Sequence, residues 1–271
     1  MKPRVAVVQF PGVNCEVETL RAVVRAGLEG EIFRWTRPPD ELRTFQAYVL
    51  PGGFSWQDRV RAGALAAKDP MVRVVAEEST ARAKPVLGIC NGAQVLVEAG
   101  LVPGGGGVQL ALARNRMPGR SGYYARWIHV RVEPSPCVFT RALLPGTVLP
   151  LPVAHAEGRF TARDRGRLED LSRAGQVPLR YASSAGSDAS GFPENPNGSD
   201  ADAAAVCDAR GLVLAIMAHP ERAQDLGQLS RAVPGGWAGR RERAVERGEE
   251  GDTSGPGLAL FEGLRRHLEE T

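Results

Sequence analysis

The amino-acid sequence predicts an α/β fold: one domain with a mostly parallel central sheet flanked by helices. Two patterns support this prediction. Short apolar runs that end at proline or glycine alternate with segments whose apolar residues share one helical face, as in the βα units of a parallel sheet. The composition agrees, because 43% of the 271 residues are apolar, which is enough for one sizeable core.

Strands and helices alternate regularly in the N-terminal part of the chain. Apolar runs typical of buried strands lie at residues 5–10, 31–35, 47–50 and 85–89. Segments with one apolar helical face lie at residues 16–27, 70–82 and 91–99. This order predicts a parallel sheet with both faces covered by helices.

The rest of the chain continues the pattern less regularly. Further strands are predicted at residues 127–132, 147–151, 177–181, 203–207 and 212–217, and a closing helix at 258–268. Two segments poor in large apolar residues are predicted to be a loop at 183–200 and an exposed, mobile insertion at about 223–256. Since no internal repeat is visible, we assign residues 1–271 to one domain.

Composition also narrows the class of protein. The sequence has no run of about 18 or more apolar residues, so we expect no membrane-spanning helix. The short apolar run near the first residue lacks the length and cleavage site of a signal peptide, and we therefore expect a cytoplasmic protein. The formal charge of +3 arises from interspersed acidic and basic residues, which is unlike a nucleic-acid-binding surface.

The four cysteines are widely separated in the sequence. They are Cys15, Cys90, Cys137 and Cys207, and no two of them form a CxxC pair. We therefore expect neither a zinc site nor a disulfide framework, and we predict no bound metal. In a cytoplasmic protein this pattern raises the possibility that one cysteine is a nucleophile.

Cys90 lies in the sharpest local motif, Gly88-Ile-Cys-Asn-Gly-Ala-Gln94, which joins a predicted strand to a predicted helix. Glycine two residues before and after the cysteine is typical of a nucleophile elbow. Such a turn exposes the sulfur at a helix N-terminus, where the dipole favours a thiolate and backbone N–H groups can bind an oxyanion. A small buried cysteine beside a core helix would give the same spacing, so the spacing alone leaves both possibilities open.

A thiol nucleophile needs a proton acceptor, and two histidines occur as His-x-Glu pairs: His155 with Glu157, and His219 with Glu221. Residues two apart share a face of an extended chain, so each glutamate could orient its histidine. His219 follows the predicted strand at 212–217, and catalytic groups collect at the carboxyl ends of parallel strands. This favours His219 without excluding His155. Of the other two histidines, His129 lies inside a predicted strand and His267 in the closing helix, where we expect a structural and a surface role.

Pro51-Gly-Gly-Phe-Ser55 follows another predicted strand. Its two glycines let backbone N–H groups approach a ligand, so the loop could supply an oxyanion-hole donor if it lies beside the elbow. Considered alone, it is simply a turn. The sequence has no GxxxxGK[ST] phosphate loop, because the glycine run at 104–107 lacks the lysine, and we predict no ATP binding by this chain.

Together these motifs resemble the class I (triad) glutamine amidotransferases, which share the cysteine elbow and the His-Pro-Glu motif. Further segments resemble one subfamily, the glutaminase subunits of phosphoribosylformylglycinamidine synthase in purine biosynthesis. These segments lie at residues 10–16, 51–63, 114–115, 126–127, 154–159, 195–199 and 219–222. Their number and order make the resemblance specific.

The resemblance implies a role for each motif. Cys90 would be the nucleophile, His219 the base and Glu221 the group that orients it. His155 falls in a subfamily motif but does not match the triad histidine. The remaining implied residues contact the substrate: the backbone N–H groups of Gly53 and Asn91 in the oxyanion hole, and Phe54 and Gln94 in the glutamine pocket.

The sequence departs from the subfamily in three places. Trp56-Gln57 stands where an aromatic residue followed by glycine is usual, and Ala218 stands where proline is usual. The segment at 223–256 is longer than its counterpart. The first two differences could alter the pocket or the coupling to a partner.

The resemblance further implies that the chain hydrolyses glutamine and supplies ammonia to a large synthetase subunit, which aminates formylglycinamide ribonucleotide. We expect no cofactor in this chain. ATP and Mg²⁺ would bind to the synthetase, and a small accessory subunit would complete the complex.

Two alternatives belong to other classes. One is a cysteine peptidase or stress-response hydrolase built on the same elbow, which would lack the loop Asn195-Pro-Asn-Gly198. The other is a non-enzymatic binding subunit with a decayed site, against which the intact Cys90, His219 and Glu221 speak.

Overall fold

A computed structural model describes residues 2–164 and 166–271 of the chain. Its strands are β1 (Arg4–Gln9), β2 (Glu29–Arg34), β3 (Ala47–Leu50), β4 (Val86–Ile89), β5 (Leu110–Ala113), β6 (Tyr124–Val132), β7 (Val148–His155), β8 (Arg159–Ala162), β9 (Leu179–Ala182), β10 (Ala203–Cys207) and β11 (Val213–Ile216). Its α-helices are α1 (Glu16–Arg25), α2 (Pro70–Arg82), α3 (Asn91–Glu98), α4 (Arg167–Arg173), α5 (Gly236–Arg247) and α6 (Leu258–Glu270).

The central sheet has a parallel part and an antiparallel part. Its strand order is β2-β1-β3-β4-β11-β10-β9-β6-β7. The first five strands in this order, β2, β1, β3, β4 and β11, pair in parallel. From β11 onward, each strand in the order pairs antiparallel with the next. A second, two-stranded sheet joins β5 to β8. The predicted α/β fold with a helix-flanked central sheet is confirmed.

Burial explains the sequence pattern of the parallel strands. β3, β4 and β11 are buried along their whole length, which is why they consist of continuous apolar residues. α1 packs against β1 and β2, and α3 packs against β4 and β11. None of the helices in the described part of the chain is long and apolar enough to cross a membrane.

Parallel pairing brings the carboxyl ends of β1, β3, β4 and β11 to one edge of the sheet. Ile89 at the end of β4 pairs with Ile216 at the end of β11. The backbone N–H of Cys90 then donates to the carbonyl of Ile216 at 2.8 Å. The segments that contain Cys90 and His219 therefore leave the sheet side by side.

The sequence analysis does not predict the antiparallel part of the sheet, although one short turn between two strands indicates antiparallel pairing. β10 and β11 are joined by the short turn Asp208-Ala-Arg-Gly211. Within it, Asp208 Oδ1 accepts hydrogen bonds from the N–H groups of Leu212 at 2.7 Å and Val213 at 2.8 Å. So short a connection can join only antiparallel strands.

β7 also differs from the prediction, which ended this strand at residue 151. The strand runs on to His155 and contains Pro150 and Pro152. β7 is the last strand in the sheet order, and proline is tolerated in an edge strand because no neighbour needs its missing N–H.

The predicted insertion at about 223–256 contains α5, which the sequence analysis does not predict. Every residue of α5 except Ala244 is at least partly exposed. Ala244 packs with Leu226, Leu229 and Val233 in a small apolar cluster separate from the main core. The segment, which follows His219 closely in the chain, therefore lies on the surface of the protein. β5, β8 and α4 are likewise additional to the predicted elements.

Candidate active site

Cys90 occupies a strained turn between β4 and α3. Its φ of 50° and ψ of −104° lie outside the regions that L-residues ordinarily adopt, and such strain persists only where the surrounding structure imposes it. Two glycines make the turn sterically possible. A Cβ on Gly88 would lie 2.6 Å from the carbonyl oxygen of Gly92, and a Cβ on Gly92 would lie 1.9 Å from that of Leu50. The chain thus forms a strand–turn–helix with Cys90 at its apex.

The Cys90 side chain lines a cavity of about 420 Å³. The residue is only 7% exposed, and its sulfur lies 3.7 Å from the carbonyl oxygen of Ala154. Because α3 begins at Asn91, the sulfur lies at a helix N-terminus, whose partial positive charge stabilises a thiolate. A cavity of this size can accommodate one amino-acid substrate.

His219 and Glu221 follow the end of β11 in a single turn of chain. Nδ1 of His219 lies 2.6 Å from Oε1 of Glu221, and both side chains are almost fully buried. Burial by itself lowers the pKa of His219, but attraction to Glu221 and Cys90 outweighs burial and raises the pKa well above its ordinary value. An imidazole oriented by a carboxylate in this way can take a proton from a thiol.

The second ring nitrogen of His219 has no hydrogen-bond partner within the described residues, although it is buried. Since Glu221 engages Nδ1, Nε2 is the nitrogen available to exchange a proton with a thiol or a leaving group. His219 lines the same cavity as Cys90. The structure therefore brings together the three residues that the sequence assigns to catalysis, while their chemical roles stay predictions.

The glycine loop after β3 packs directly against His219. A Cβ on Gly52 would lie 2.8 Å from Cε1 of His219, so only glycine fits there. Gly53 has a φ of 144° and lines the cavity. The loop and the first turn of α3 thus border one space, where the backbone N–H groups of Gly53 and Asn91 are predicted to bind an oxyanion.

Phe54 and Gln94, the predicted glutamine-pocket residues, also line the cavity. The Gln94 amide is held from both sides: its Nε2 donates to the carbonyl of Glu157 at 2.8 Å, and its Oε1 accepts from Asn91 Nδ2 at 2.9 Å. Phe54 is 47% exposed, whereas Gln94 is buried. Gln94 therefore joins the elbow to the loop after β7. That Phe54 and Gln94 bind glutamine stays a prediction.

His155, the alternative candidate, lines the cavity but is held differently. Its Nδ1 lies 3.1 Å from Oδ1 of Asn115. The amide of Asn115 is oriented by the N–H of Gly158, which donates to the same Oδ1 at 3.1 Å. Burial, with a smaller contribution from the charge of His219, lowers the pKa of His155 to about 3. His155 is therefore a neutral imidazole bonded to an amide, whereas His219 is bonded to a carboxylate.

Sequence reasoning gave no role to several residues that line the cavity, among them Asn14, Cys15 and Arg222. The sulfur of Cys15, a ring nitrogen of His219 and a carboxylate oxygen of Glu221 lie within 4.8 Å of one another. Nη2 of Arg222 donates to the Cys15 sulfur at 3.0 Å. These contacts join the loop after β1 to the segment after β11, so no local pattern could have revealed them.

This geometry agrees with what the chain matches among known proteins. A family model of the CobB/CobQ-like glutamine amidotransferase domain matches residues 2–267. The chain belongs to the CobB/CobQ-like glutamine amidotransferase family. The resemblance predicted from the sequence is thereby confirmed.

Curated relatives match most of this amidotransferase. Phosphoribosylformylglycinamidine synthase subunit PurQ of Methanothrix thermoacetophila is 45% identical over 98% of this chain and 98% of its own length. The subunit of the same name from Thermus thermophilus is 44% identical over 82% of this chain and 90% of its own. A chain in the structure of PurLQS from Thermotoga maritima superposes with a TM-score of 0.71 at 29% identity, covering 99% of this amidotransferase and 100% of that chain.

Proposed function

We propose that this amidotransferase is the glutaminase subunit of a phosphoribosylformylglycinamidine synthase. The observation that carries the proposal is the buried Cys90–His219–Glu221 arrangement beside a cavity of amino-acid size. The similarity to PurQ subunits along the whole chain supports the same function. The subunit hydrolyses glutamine and provides ammonia for the amination of formylglycinamide ribonucleotide in cytoplasmic purine biosynthesis.

The first half-reaction forms a thioester. His219 takes the proton of the Cys90 thiol, and the thiolate attacks the carboxamide carbon of glutamine. The carbonyl oxygen becomes an oxyanion, which the backbone N–H groups of Gly53 and Asn91 stabilise. His219 then returns its proton to the departing nitrogen, which leaves as ammonia while the Cys90–acyl bond remains.

The second half-reaction regenerates the enzyme. Water replaces ammonia, and His219 removes a proton from it as it attacks the glutamyl thioester. The carbon–sulfur bond breaks, glutamate leaves and the Cys90 thiol recovers its proton. Glu221 holds the imidazole through both halves, since Nδ1 must stay bonded while Nε2 exchanges protons.

The acceptor chemistry takes place on other chains. A large synthetase subunit binds the ribonucleotide together with ATP and Mg²⁺, and a small accessory subunit completes the complex. Ammonia has to reach the synthetase before bulk water protonates it, because ammonium is not a nucleophile. The cavity must therefore lie close to the docked synthetase.

The proposed function is tested by reconstitution. The purified chain is combined with a synthetase of the same complex, and glutamate release and ribonucleotide amination are followed together. We expect amination that depends on glutamine and on this chain, with one glutamate formed per amination. Amination supported by ammonium alone, with glutamine inert in the presence of this chain, would refute the proposal.

Docking of the synthetase also controls the glutaminase. A slow site in the free chain prevents waste of glutamine, and a shift of the Gly52-Gly53 loop on docking completes the oxyanion hole. Two hydrogen bonds join the loop after β1 to the loop after β3: the N–H of Cys15 donates to the Gly52 carbonyl at 3.3 Å, and the N–H of Phe54 donates to the Gly12 carbonyl at 2.9 Å. The two loops therefore move together. Titrating ligand-bound synthetase into the chain should raise the rate of glutamate release. A rate that is already maximal for the free chain would exclude this control.

A further inference from the structure

The three predicted catalytic residues act at the carboxamide end of glutamine and leave its other end unassigned. That end carries an α-ammonium group and an α-carboxylate. Among the described residues that line the cavity, the acidic side chains are Asp58 and Glu157. The α-ammonium group therefore has two candidate partners.

Asp58 is held at the cavity by a turn of unusual backbone geometry. Trp56, Gln57 and Asp58 have φ angles of 54°, 60° and 50°, values that cost L-residues roughly 1 kcal/mol or more each. The turn is anchored by the N–H of Trp56, which donates to the carbonyl of Pro11 at 2.7 Å. The Trp56 ring packs edge-on against Trp35 at 5.8 Å. The backbone of Asp58 is therefore fixed from outside the cavity.

One carboxylate oxygen of Asp58 is bonded directly to the elbow. Its Oδ1 accepts from Asn91 Nδ2 at 3.1 Å. The orientation of that amide is settled by the N–H of Ser55, which donates to Asn91 Oδ1 at 2.9 Å. Because Asn91 follows Cys90 in the chain, the Asp58 carboxylate lies one side chain away from the predicted nucleophile.

Among the described residues, the Asp58 carboxylate has no cationic partner. No lysine or arginine nitrogen of the described residues lies within 4.0 Å of it. Arg61, the nearest basic residue along the chain that lines the cavity, donates instead to Glu98 at 2.7 Å. A partly buried carboxylate with only an amide donor is a favourable site for a ligand cation.

Glu157 adds negative charge but is less suited to be the main partner. Its side chain is 33% exposed, and its Oε1 lies 3.8 Å from Nε of Arg114. Its carbonyl is bonded to Gln94, which fixes the Glu157 backbone at the same side of the cavity as Asn91.

We propose that Asp58 binds the α-ammonium group of glutamine and so makes the site selective for an α-amino acid over other amides. This inference rests on the proposed function. Asp58 is then a specificity-determining residue, and the strained turn at 56–58 is the device that places it. Its hydrogen bond to Asn91 couples recognition of the ammonium group to the elbow.

A purely structural role for Asp58 predicts something different. If Asp58 only holds Asn91 in place, its loss should harm every amide substrate equally. Glutaramate distinguishes the two roles, because it is glutamine without the α-amino group. The quantity to measure is the ratio of kcat/KM for glutamine to kcat/KM for glutaramate.

The test compares Asp58→Asn with wild type in the reconstituted complex. We expect the glutamine/glutaramate ratio to fall about 10- to 100-fold, the usual effect of removing a hydrogen bond to a charged group. Most of the change should lie in KM for glutamine, with little change for glutaramate. An equal loss for both substrates would overturn the inference. If glutaramate turns over too slowly, its inhibition constant against glutamine measures its binding instead and should be little changed by the substitution, while KM for glutamine rises.

Asp69→Asn is the matched control. Asp69 is also a partly buried aspartate, but it caps α2 by accepting from the N–H of Met71 at 2.9 Å and does not line the cavity. Asparagine caps helices equally well, so the ratio should not change. A wild-type complex that cannot use glutamine would refute the proposed function itself. Failure of the proposed function is thereby distinguished from failure of the role proposed for Asp58.

Wild-type protein offers a second measurement that needs no substitution. Burial, with a smaller contribution from Glu157, raises the pKa of Asp58 to about 6 against the opposing hydrogen bond of Asn91. Below that pH the free site holds a neutral carboxyl group, so the substrate ratio should fall. The charged groups nearby are Glu157, Arg61 and Arg114, while Cys90 and His219 affect both substrates and cancel in the ratio. A ratio that stays constant from pH 8 to about pH 5 would contradict the proposal.

Discussion

Cys15 and Cys90 each precede a helix, and both line the cavity that contains His219. A helix N-terminus and a neighbouring imidazole favour a thiolate at either position. Their hydrogen bonds nevertheless differ. The Cys15 thiol donates to Asn14 Oδ1 at 3.2 Å, a bond that needs the neutral thiol, while its sulfur accepts from Arg222 at 3.0 Å, a contact that favours the thiolate.

Backbone and charge separate the two cysteines further. Cys15 has an ordinary φ of −107°, whereas Cys90 has a φ of 50°. The first turn of α1 carries Glu16 and Glu18, which oppose a thiolate at Cys15, and that of α3 has no acidic residue. Burial raises the pKa of Cys15, although the nearby His219 opposes the change.

The comparison shows that proximity to a histidine and a helix end does not identify a nucleophile. What distinguishes Cys90 is a strained turn with the sulfur at its apex, before a helix whose own first turn contains no acidic residue.

The largest expected effect is that of Cys90→Ser. An alcohol is a far weaker nucleophile than a thiol beside the same base, so glutamine-dependent turnover should fall by about three orders of magnitude or more. Amination with added ammonium should persist in the reconstituted complex. Cys15→Ser is the matched control and should keep glutamine-dependent turnover. Retention of that turnover in Cys90→Ser would refute the assignment of the nucleophile.

His219→Ala should cost nearly as much. Removing the base leaves the thiol without a proton acceptor, and kcat should fall by several orders of magnitude, as in other triads. His155→Ala should act mainly on KM or on coupling to the synthetase, because His155 is a neutral imidazole bonded to Asn115. Single-turnover thioester formation is the measurement. If His155→Ala abolished the thioester while His219→Ala preserved it, the roles would be exchanged.

Local pattern predicted the turn that contains Cys90 but not its surroundings. The Gly-x-Cys-x-Gly spacing predicted the elbow, and one of its steric demands is local, because Gly88 packs against Gly92. The other, Gly92 against Leu50, joins segments 42 residues apart. The choice between His155 and His219 depended on strand ends and stayed open until the resemblance was considered. Only the structure shows that one imidazole is bonded to a carboxylate and the other to an amide.

Other features leave little signal in the sequence. Cys15 reaches His219 through packing of segments some 200 residues apart, as the Arg222–Cys15 hydrogen bond shows. The left-handed turn at 56–58 is built from Trp, Gln and Asp rather than glycine, so composition does not reveal it. α5 has one buried residue and many charged ones, and therefore lacks the apolar face by which helices are predicted.

Reactivity towards electrophiles provides a pH test of the two thiols. A glutamine-mimicking electrophile should label Cys90 and spare Cys15, Cys137 and Cys207, as peptide mass spectrometry can establish. In Cys90→Ala, iodoacetamide should react slowly with Cys15 at neutral pH. Because the thiolate is the reactive form and the pKa of Cys15 is raised, the rate should grow about tenfold per pH unit towards pH 9. Fast, pH-independent alkylation of Cys15 would show that its thiolate is already formed at neutral pH.

The smallest expected effect is that of Cys15→Ala on glutamine turnover. The substitution removes one hydrogen bond from Arg222, which keeps its contact with Glu18 at 3.2 Å, and leaves the His219–Glu221 bond in place. Loss of one such bond is worth about 1 kcal/mol, and about 1.4 kcal/mol corresponds to a tenfold change. We therefore expect kcat to fall less than about tenfold, measured by glutamate release from the reconstituted complex. A loss as large as that of Cys90→Ser would mean that Cys15 takes part in proton transfer with His219. In that case the pH profile of kcat would also change, whereas a purely supporting role leaves its shape unaltered.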